Sequence, residues 1–236
     1  MALLILGERA AGARYLFGAL MAGGYPFFHV EADRALPTLP TAFAGFIFSD
    51  YPAHLLGEEA AAAIVRQVEA GAGLLMVGGW LSFGGRGAGY SRSPVGSLLP
   101  VLCQEDDDRV NTPAGLVLEA CRPDHPILSG LPLASPPVVC GYNRVAVRPG
   151  ATTVLNGRPL LFRSTGPALG EPVPLLVVGE ASRGRVAAFA SDLLPHWCGG
   201  LVDWGEERRR LPTGAEVGAA YLRFVRQLVA WLLRQL

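Results

Sequence analysis

The sequence contains no lysine. All 20 of its basic residues are arginine, set against 20 acidic ones, so the formal net charge over 236 residues is zero. Without lysine there is no Walker A loop, because its lysine must reach the nucleotide phosphates. Pyridoxal-phosphate enzymes and lysine-dependent aldolases are excluded with the Schiff base they need, and so are serine–lysine hydrolases. Arginine stays charged and cannot serve as a base near neutrality. The absent net charge also removes the broad basic face that a nucleic-acid binder shows. The one basic run, Arg208 to Arg210, follows Glu206 and Glu207 and reads as a solvated turn.

Cysteine is scarce as well. Cys103, Cys121, Cys140 and Cys198 form no CxxC pair, so neither a zinc ribbon nor a thioredoxin motif is present. There is no HExxH or HxH spacing, and neither a metal nor another cofactor is expected. No apolar run approaches the roughly 18 residues of a membrane span. The opening MALLILGERA is too short in its apolar part for a secretory signal. The expectation is a cytoplasmic, bacterial-type protein with no membrane or nucleic-acid partner, whose partner is a small polar ligand. Self-association is a further expectation, because an open sheet leaves an edge uncovered.

What is present is ample core material: half of the residues are apolar and 17% are charged. Continuous apolar runs predict buried strands over 2–6, 27–30, 43–48, 73–77 and 185–190. Helices are predicted over 9–22 and 58–70, the latter placing Ala61, Ile64, Val65 and Val68 on one face. A short helix is read over 94–99. From 101 to 178 the pattern is β-like and broken, with strands over 116–119, 143–147, 152–155 and 175–178 and loops over 106–109 and 164–172. Thr213 and Glu216 read as a capping box opening the last helix. Alternating apolar strands and helices predict a single α/β domain over 1–236 with a mostly parallel, doubly wound sheet.

Such sheets bind ligands at the carboxyl ends of their strands. Asp50 and His54 follow one strand, Asp192 and His196 another, and Tyr51, Trp80, Tyr90 and Trp197 would flank them. The glycine-rich stretch from Gly78 to Gly85 follows a third strand. There the amides of Gly79, Gly84 and Gly85 could approach a ligand, and Ser82 is the nucleophilic side chain at hand. Tyr142 and Asn143 complete the expected pocket. His196, oriented by Asp192, is the acid–base candidate. Cys198 in His196-Trp197-Cys198-Gly199-Gly200 is a weaker nucleophile candidate.

The stretches FSDYPAHLL, GLLMVGGWLSFGG with Gly89-Tyr90, SPVGSLLPV, DHPILSGLP, Gly141-Tyr142-Asn143 and GRVAAFASDLLPHW follow one another in order. In this they resemble the putative glutamine amidotransferase family of the class I glutamine amidotransferase-like superfamily, near the trehalose-utilisation proteins. The resemblance runs from about residue 43 to 235. It implies a flavodoxin-like three-layer αβα sandwich. In the family's active members it also implies an elbow cysteine with a late histidine and glutamate. Here the elbow position falls at Gly78-Gly79-Trp80 without a cysteine. The late histidine corresponds to His196, and the glutamate position holds Cys198. The expectation is therefore a protein that binds or hydrolyses a small polar molecule, a sugar or an amide, without the usual thiolate. The alternatives are a non-catalytic binding or assembly module, or a metal-dependent hydrolase using Asp50, His54, Asp192 and His196.

Overall fold

A computed structural model describes residues 1–236. In chain order the elements are β1 (Leu3–Gly7), α1 (Arg14–Ala22), β2 (Phe27–Val30), β3 (Gly45–Ser49), α2 (Glu58–Glu69), β4 (Gly73–Val77) and α3 (Pro94–Leu98). Then come β5 (Val101–Leu102), β6 (Arg109–Ala120), β7 (Val138–Asn143), β8 (Ala146–Val147), β9 (Thr152–Arg163), β10 (Gly166–Leu169) and β11 (Val173–Ala181). The chain closes with β12 (Gly184–Phe189), β13 (Arg208–Arg210), β14 (Glu216–Gly218) and α4 (Ala219–Leu232).

One sheet organises the fold, in the order β2-β1-β3-β4-β12-β11-β9-β6-β7, with β10 hairpinned onto β9. The strands from β2 to β12 run parallel, and β11, β9, β6 and β7 continue the sheet antiparallel. The parallel strands are buried on both faces, which is why their sequences are continuous apolar runs. Alternate side chains supply two separate cores. Leu3, Ile5, Ile47, Leu75 and Val77 pack under α1 and α4. Leu4, Leu6, Phe46, Phe48, Leu74 and Met76 pack under α2 and α3. This is the expected α/β class I amidotransferase-like architecture, with helices on both faces of the sheet. No helix is long and apolar enough to cross a membrane.

Several local expectations are corrected. The capping box at Thr213 and Glu216 does not form. The Thr213 hydroxyl donates to the Arg14 carbonyl at 2.7 Å, Glu216 lies in β14, and Gly218 stands at the start of α4. Arg208 to Arg210 is not a turn. It is an exposed strand, β13, paired antiparallel with β14. The first helix begins at Arg14, five residues later than its pattern suggested, because residues 9–13 are used by the turn leaving β1. The broken β pattern after 101 resolves into long strands interrupted by bulges, which shift the alternation of faces and blur the period. Within the expected loop over 164–172, Gly166–Leu169 pairs with the end of β9.

Candidate functional site

In the parallel half of the sheet Gly7, Ser49 and Val77 are register partners, with Phe189 opposite Val77 on β12. The residues that leave these strands therefore meet at one edge: Glu8 after β1, Asp50 after β3, Gly78 and Gly79 after β4, and Ser191 and Asp192 after β12. The chains approach very closely there. A Cβ on Gly7 would lie 1.6 Å from the Ser49 carbonyl oxygen, and one on Gly79 would lie 2.2 Å from Asp50 Oδ1. Glycine is the residue that permits both contacts.

Glu8 and Asp50 both take left-handed backbone conformations, with φ of 46° and 55°. A non-glycine residue held there costs on the order of 1–3 kcal/mol, and such strain concentrates at functional sites. The elbow-like strain thus stands at the ends of β1 and β3, and Gly78–Trp80 shows none of it. The amide of Asp50 donates to Ser82 Oγ at 3.1 Å, and Asp50 Oδ1 accepts from the Leu81 amide at 2.7 Å. Burial pushes the Asp50 carboxyl up to about 6, against the pull of the Leu81 amide.

Glu8 is 9% exposed, and its Oε1 is buried with no hydrogen-bond partner. Burial first, then the charges of Asp50 and Asp192, raise its carboxyl to about 8. The turn that holds it is braced by His29 on β2. The His29 Nε2 donates to the Gly7 carbonyl at 2.7 Å and lies 3.2 Å from the Glu8 carbonyl, and its ring stands edge-on to Phe17.

Asp192 is 2% exposed and accepts from the Leu194 amide at 2.8 Å. Its Oδ2 lies 3.6 Å from Nδ1 of His196, four residues on, whose side chain reaches solvent. Asp192, joined by Glu8 and Asp50, holds the His196 imidazole up at about 8. Around neutral pH the edge therefore combines an ionised Asp50 with a protonated His196.

Asp50, Trp80, Asn111, Cys140, His196 and Trp197 line a cleft of about 440 Å³ at this edge. The Trp197 indole N–H donates to Asn111 Oδ1 at 2.9 Å, and the Arg109 guanidinium stacks 4.7 Å from the Trp80 ring. Three hollows are larger: two, of about 700 and 690 Å³, open at the opposite, amino-terminal edge of the parallel strands, and one of about 600 Å³ lies between Trp204 and the start of α4. Ligands of such sheets sit at the carboxyl edge, so the smaller cleft is the candidate site.

Most of the remaining expected residues serve the fold. Asn143 is fully buried and clamps the glycine loop. It accepts from the Gly79 amide at 2.8 Å, and its Nδ2 donates to the Gly79 carbonyl at 3.1 Å and to Asp108 Oδ1 at 2.7 Å. The Gly84 amide donates to Asp108 Oδ2 at 2.9 Å. The amides of Gly79 and Gly84 are thus spent inside the protein, and Gly85 is buried beneath Trp80. Ser82 is buried under the loop and occupied by Asp50. Tyr51 is buried, its hydroxyl donating to the carbonyls of Arg34 and Leu55, and the Tyr90 hydroxyl donates to the Tyr51 carbonyl. Tyr142, on β7, is buried in the core. His54 is exposed on the turn after β3, apart from the cleft. No three His, Cys, Asp or Glu side chains are grouped so that they could hold a metal ion. Cys198 is buried, and burial pushes its thiol far up.

Sequence reasoning passed over Glu8, Asn111 and Cys140. Glu8 had a legible signal, since it follows a buried strand as Asp50 does. Asn111 and Cys140 arrive on β6 and β7, whose neighbours across the sheet are remote in sequence.

Residues 56–211 match the family model described as putative glutamine amidotransferase. A cytoplasmic protein of Salmonella typhimurium superposes with a TM-score of 0.78 at 25% identity, over 98% of this chain and 99% of that one. A glutamine amido transferase from Methylobacillus flagellatus superposes with a TM-score of 0.53 at 13% identity, over 100% and 95%. A carbohydrate deacetylase shares the fold with a TM-score of 0.58 at 13% identity, over 99% of this chain and 32% of that one. No curated protein sequence matches.

Proposed function

This chain belongs to the putative glutamine amidotransferase family, and from that premise we propose that it binds a small polar molecule, a sugar or an amide, in the strand-edge cleft and hydrolyses it without a cysteine nucleophile. The observation that carries the reading is the pairing of Asp50, raised to about 6, with His196, raised to about 8, on the wall of one cleft. Two groups whose environments leave one ionised and one protonated at neutral pH are a base and an acid. Asp50 takes a proton from the attacking water, and His196 gives one to the departing nitrogen or oxygen. Asp192 orients the imidazole through the 3.6 Å contact and keeps it charged. Trp80 and Trp197 supply flat apolar walls of the kind that a small-ligand site uses. A carbohydrate deacetylase is among the proteins of this fold, so sugar derivatives are the first compounds to screen.

The absence of a thiol at Gly78–Trp80 and the buried, protonated Cys198 support a route independent of the family's thiolate. On a substrate found in such a screen, Asp50→Asn and His196→Gln each lower kcat/KM by about 10²-fold or more, the usual scale of general acid–base catalysis. Unchanged turnover in both variants would sink this reading.

One observation favours a second reading, a binding module without turnover. The Gly79 and Gly84 amides are donated to Asn143 and Asp108, which leaves them unable to stabilise an oxyanion. Ligand-dependent thermal stabilisation with no product across the same screen would select it.

A further inference from the structure

We propose that the side-chain amide of Asn111 is the donor that receives the ligand's carbonyl oxygen in the strand-edge cleft, which makes the substrate an acyl derivative, an amide or an ester. This role rests on the hydrolytic reading above and narrows its substrate class.

Asn111 on β6 and Gly141 on β7 are register partners, so their Cα–Cβ directions leave the same face of the sheet. The Trp197 indole lies on that face. A Cβ on Gly141 would meet it at 2.5 Å, so glycine is what lets the ring lie against the strand. The residue is held at both ends. Its carbonyl accepts from the Cys140 amide at 2.6 Å, and its indole N–H donates to Asn111 Oδ1 at 2.9 Å.

That second hydrogen bond fixes the sense of the amide. An indole N–H can only donate, so Oδ1 is the atom that must face it. Nδ2 takes the other corner and makes no hydrogen bond within the protein. Asn143, by contrast, uses both ends of its amide to clamp the glycine loop. Asn111 is exposed and lines the cleft together with Asp50 and His196. His196 directly precedes Trp197 in the chain. One hydrogen bond and one peptide link therefore tie the free donor of Asn111 to the acid of the cleft.

Acyl hydrolysis needs a donor that the glycine loop does not supply. When water attacks a carbonyl carbon, the carbonyl oxygen takes up negative charge, and a fixed N–H stabilises it. The Gly79 and Gly84 amides are turned inward, and Asn111 Nδ2 supplies the donor from β6 instead. The water oxygen bonds to the carbonyl carbon as its proton passes to Asp50. The C–N or C–O bond then breaks, its electron pair going to the leaving atom, which takes the His196 proton. The proton on Asp50 returns to the imidazole through solvent, and a carboxylic acid leaves with an amine or an alcohol. A glycosidic bond breaks through a cation-like transition state, to which a neutral N–H donor contributes nothing.

The test is hydrolysis of p-nitrophenyl acetate, p-nitroacetanilide and p-nitrophenyl glucoside by the whole protein. Turnover of an acyl probe is expected, and none of the glucoside. Asn111→Asp keeps an oxygen for the Trp197 indole and removes the N–H donor. It is expected to lower kcat on the acyl probe by about 10²–10³-fold, with KM changed by less than about threefold and the melting temperature unaltered. Asn111→Ala, which introduces no charge, is expected to lower kcat as far. A kcat in Asn111→Asp within about threefold of wild type, or turnover of the glucoside, overturns the acyl assignment. The hydrolytic reading then still stands if Asp50→Asn and His196→Gln remove the activity. If none of the three probes is turned over, both fall.

Discussion

Replacing Glu8 by glutamine, at the strand edge that carries the candidate site, is expected to stabilise the protein, and to do so more strongly as the pH rises. Glutamine keeps the shape of the side chain and removes its ionisation. In the folded protein the Glu8 carboxyl is raised from its ordinary 4.5 to about 8, chiefly by burial and then by Asp50 and Asp192. A carboxyl with a raised folded-state value binds its proton more tightly when folded than when unfolded. Stability from this group is therefore intact below about pH 4.5, falls as pH rises from there to about 8, and is flat beyond. At about 1.4 kcal/mol for each pH unit, the loss by pH 9 is about 3–5 kcal/mol. Asp50, raised to about 6, and His196, raised to about 8, add slopes of the same sign to the wild type, between about 4 and 6 and between about 6.5 and 8. They remain in the variant, so the difference between the two proteins reports Glu8 together with its charge coupling to Asp50, Asp192 and His196. The assay is urea unfolding at pH 5, 7 and 9, followed by tryptophan fluorescence. The stability gap should be small at pH 5 and reach several kcal/mol at pH 9. A gap that does not change with pH would refute the account of Glu8 as a buried, unpartnered acid. A variant less stable than wild type at pH 9 would do the same. A residue that weakens the fold and persists at a strained edge fits the trade of stability against function.

Two further outcomes follow from the same geometry. Gly79→Ala brings a methyl within 2.2 Å of Asp50 Oδ1, so the carboxylate must shift from its present position; turnover of a substrate found in the screen should fall and the melting temperature drop, and unaltered kcat/KM would contradict the contact. His196 should titrate near pH 8 by proton NMR and return towards 6.5 in Asp192→Asn, since Asp192 is the main cause of its rise; the stability the pair contributes is present below about pH 6.5 and lost as pH passes about 8.

The strands that position the site were legible because both of their faces are buried. A short, unbroken apolar run such as Leu3 to Gly7, with charged residues directly after it, fits a strand covered on both sides and little else. With the strands in place, the rule that ligands gather at their carboxyl ends singles out Asp50, Asp192 and His196 without any knowledge of contacts. The same rule reaches Glu8, although the helix-like pattern over 9–22 draws attention away from the turn that holds it. Tyr51, Tyr90 and Tyr142 looked like pocket walls, because sequence position brings a residue near an edge but does not say which way its side chain leaves the backbone.

The sequence by itself determined the sheet, the edge and the missing elbow thiol, because these depend on local residue types and on alternation along single strands. The tertiary structure decided how the edge is charged and which groups are free. Gly79 and Asn143 are 64 residues apart, yet their hydrogen bonds decide that the loop amide faces inward. Asn111 and Cys140 join the cleft from strands across the antiparallel half of the sheet. The proton on Glu8 depends on burial beside two other carboxyl groups, from the ends of β3 and β12. Desolvation and Coulomb energy are functions of distance in space, and only folding sets those distances.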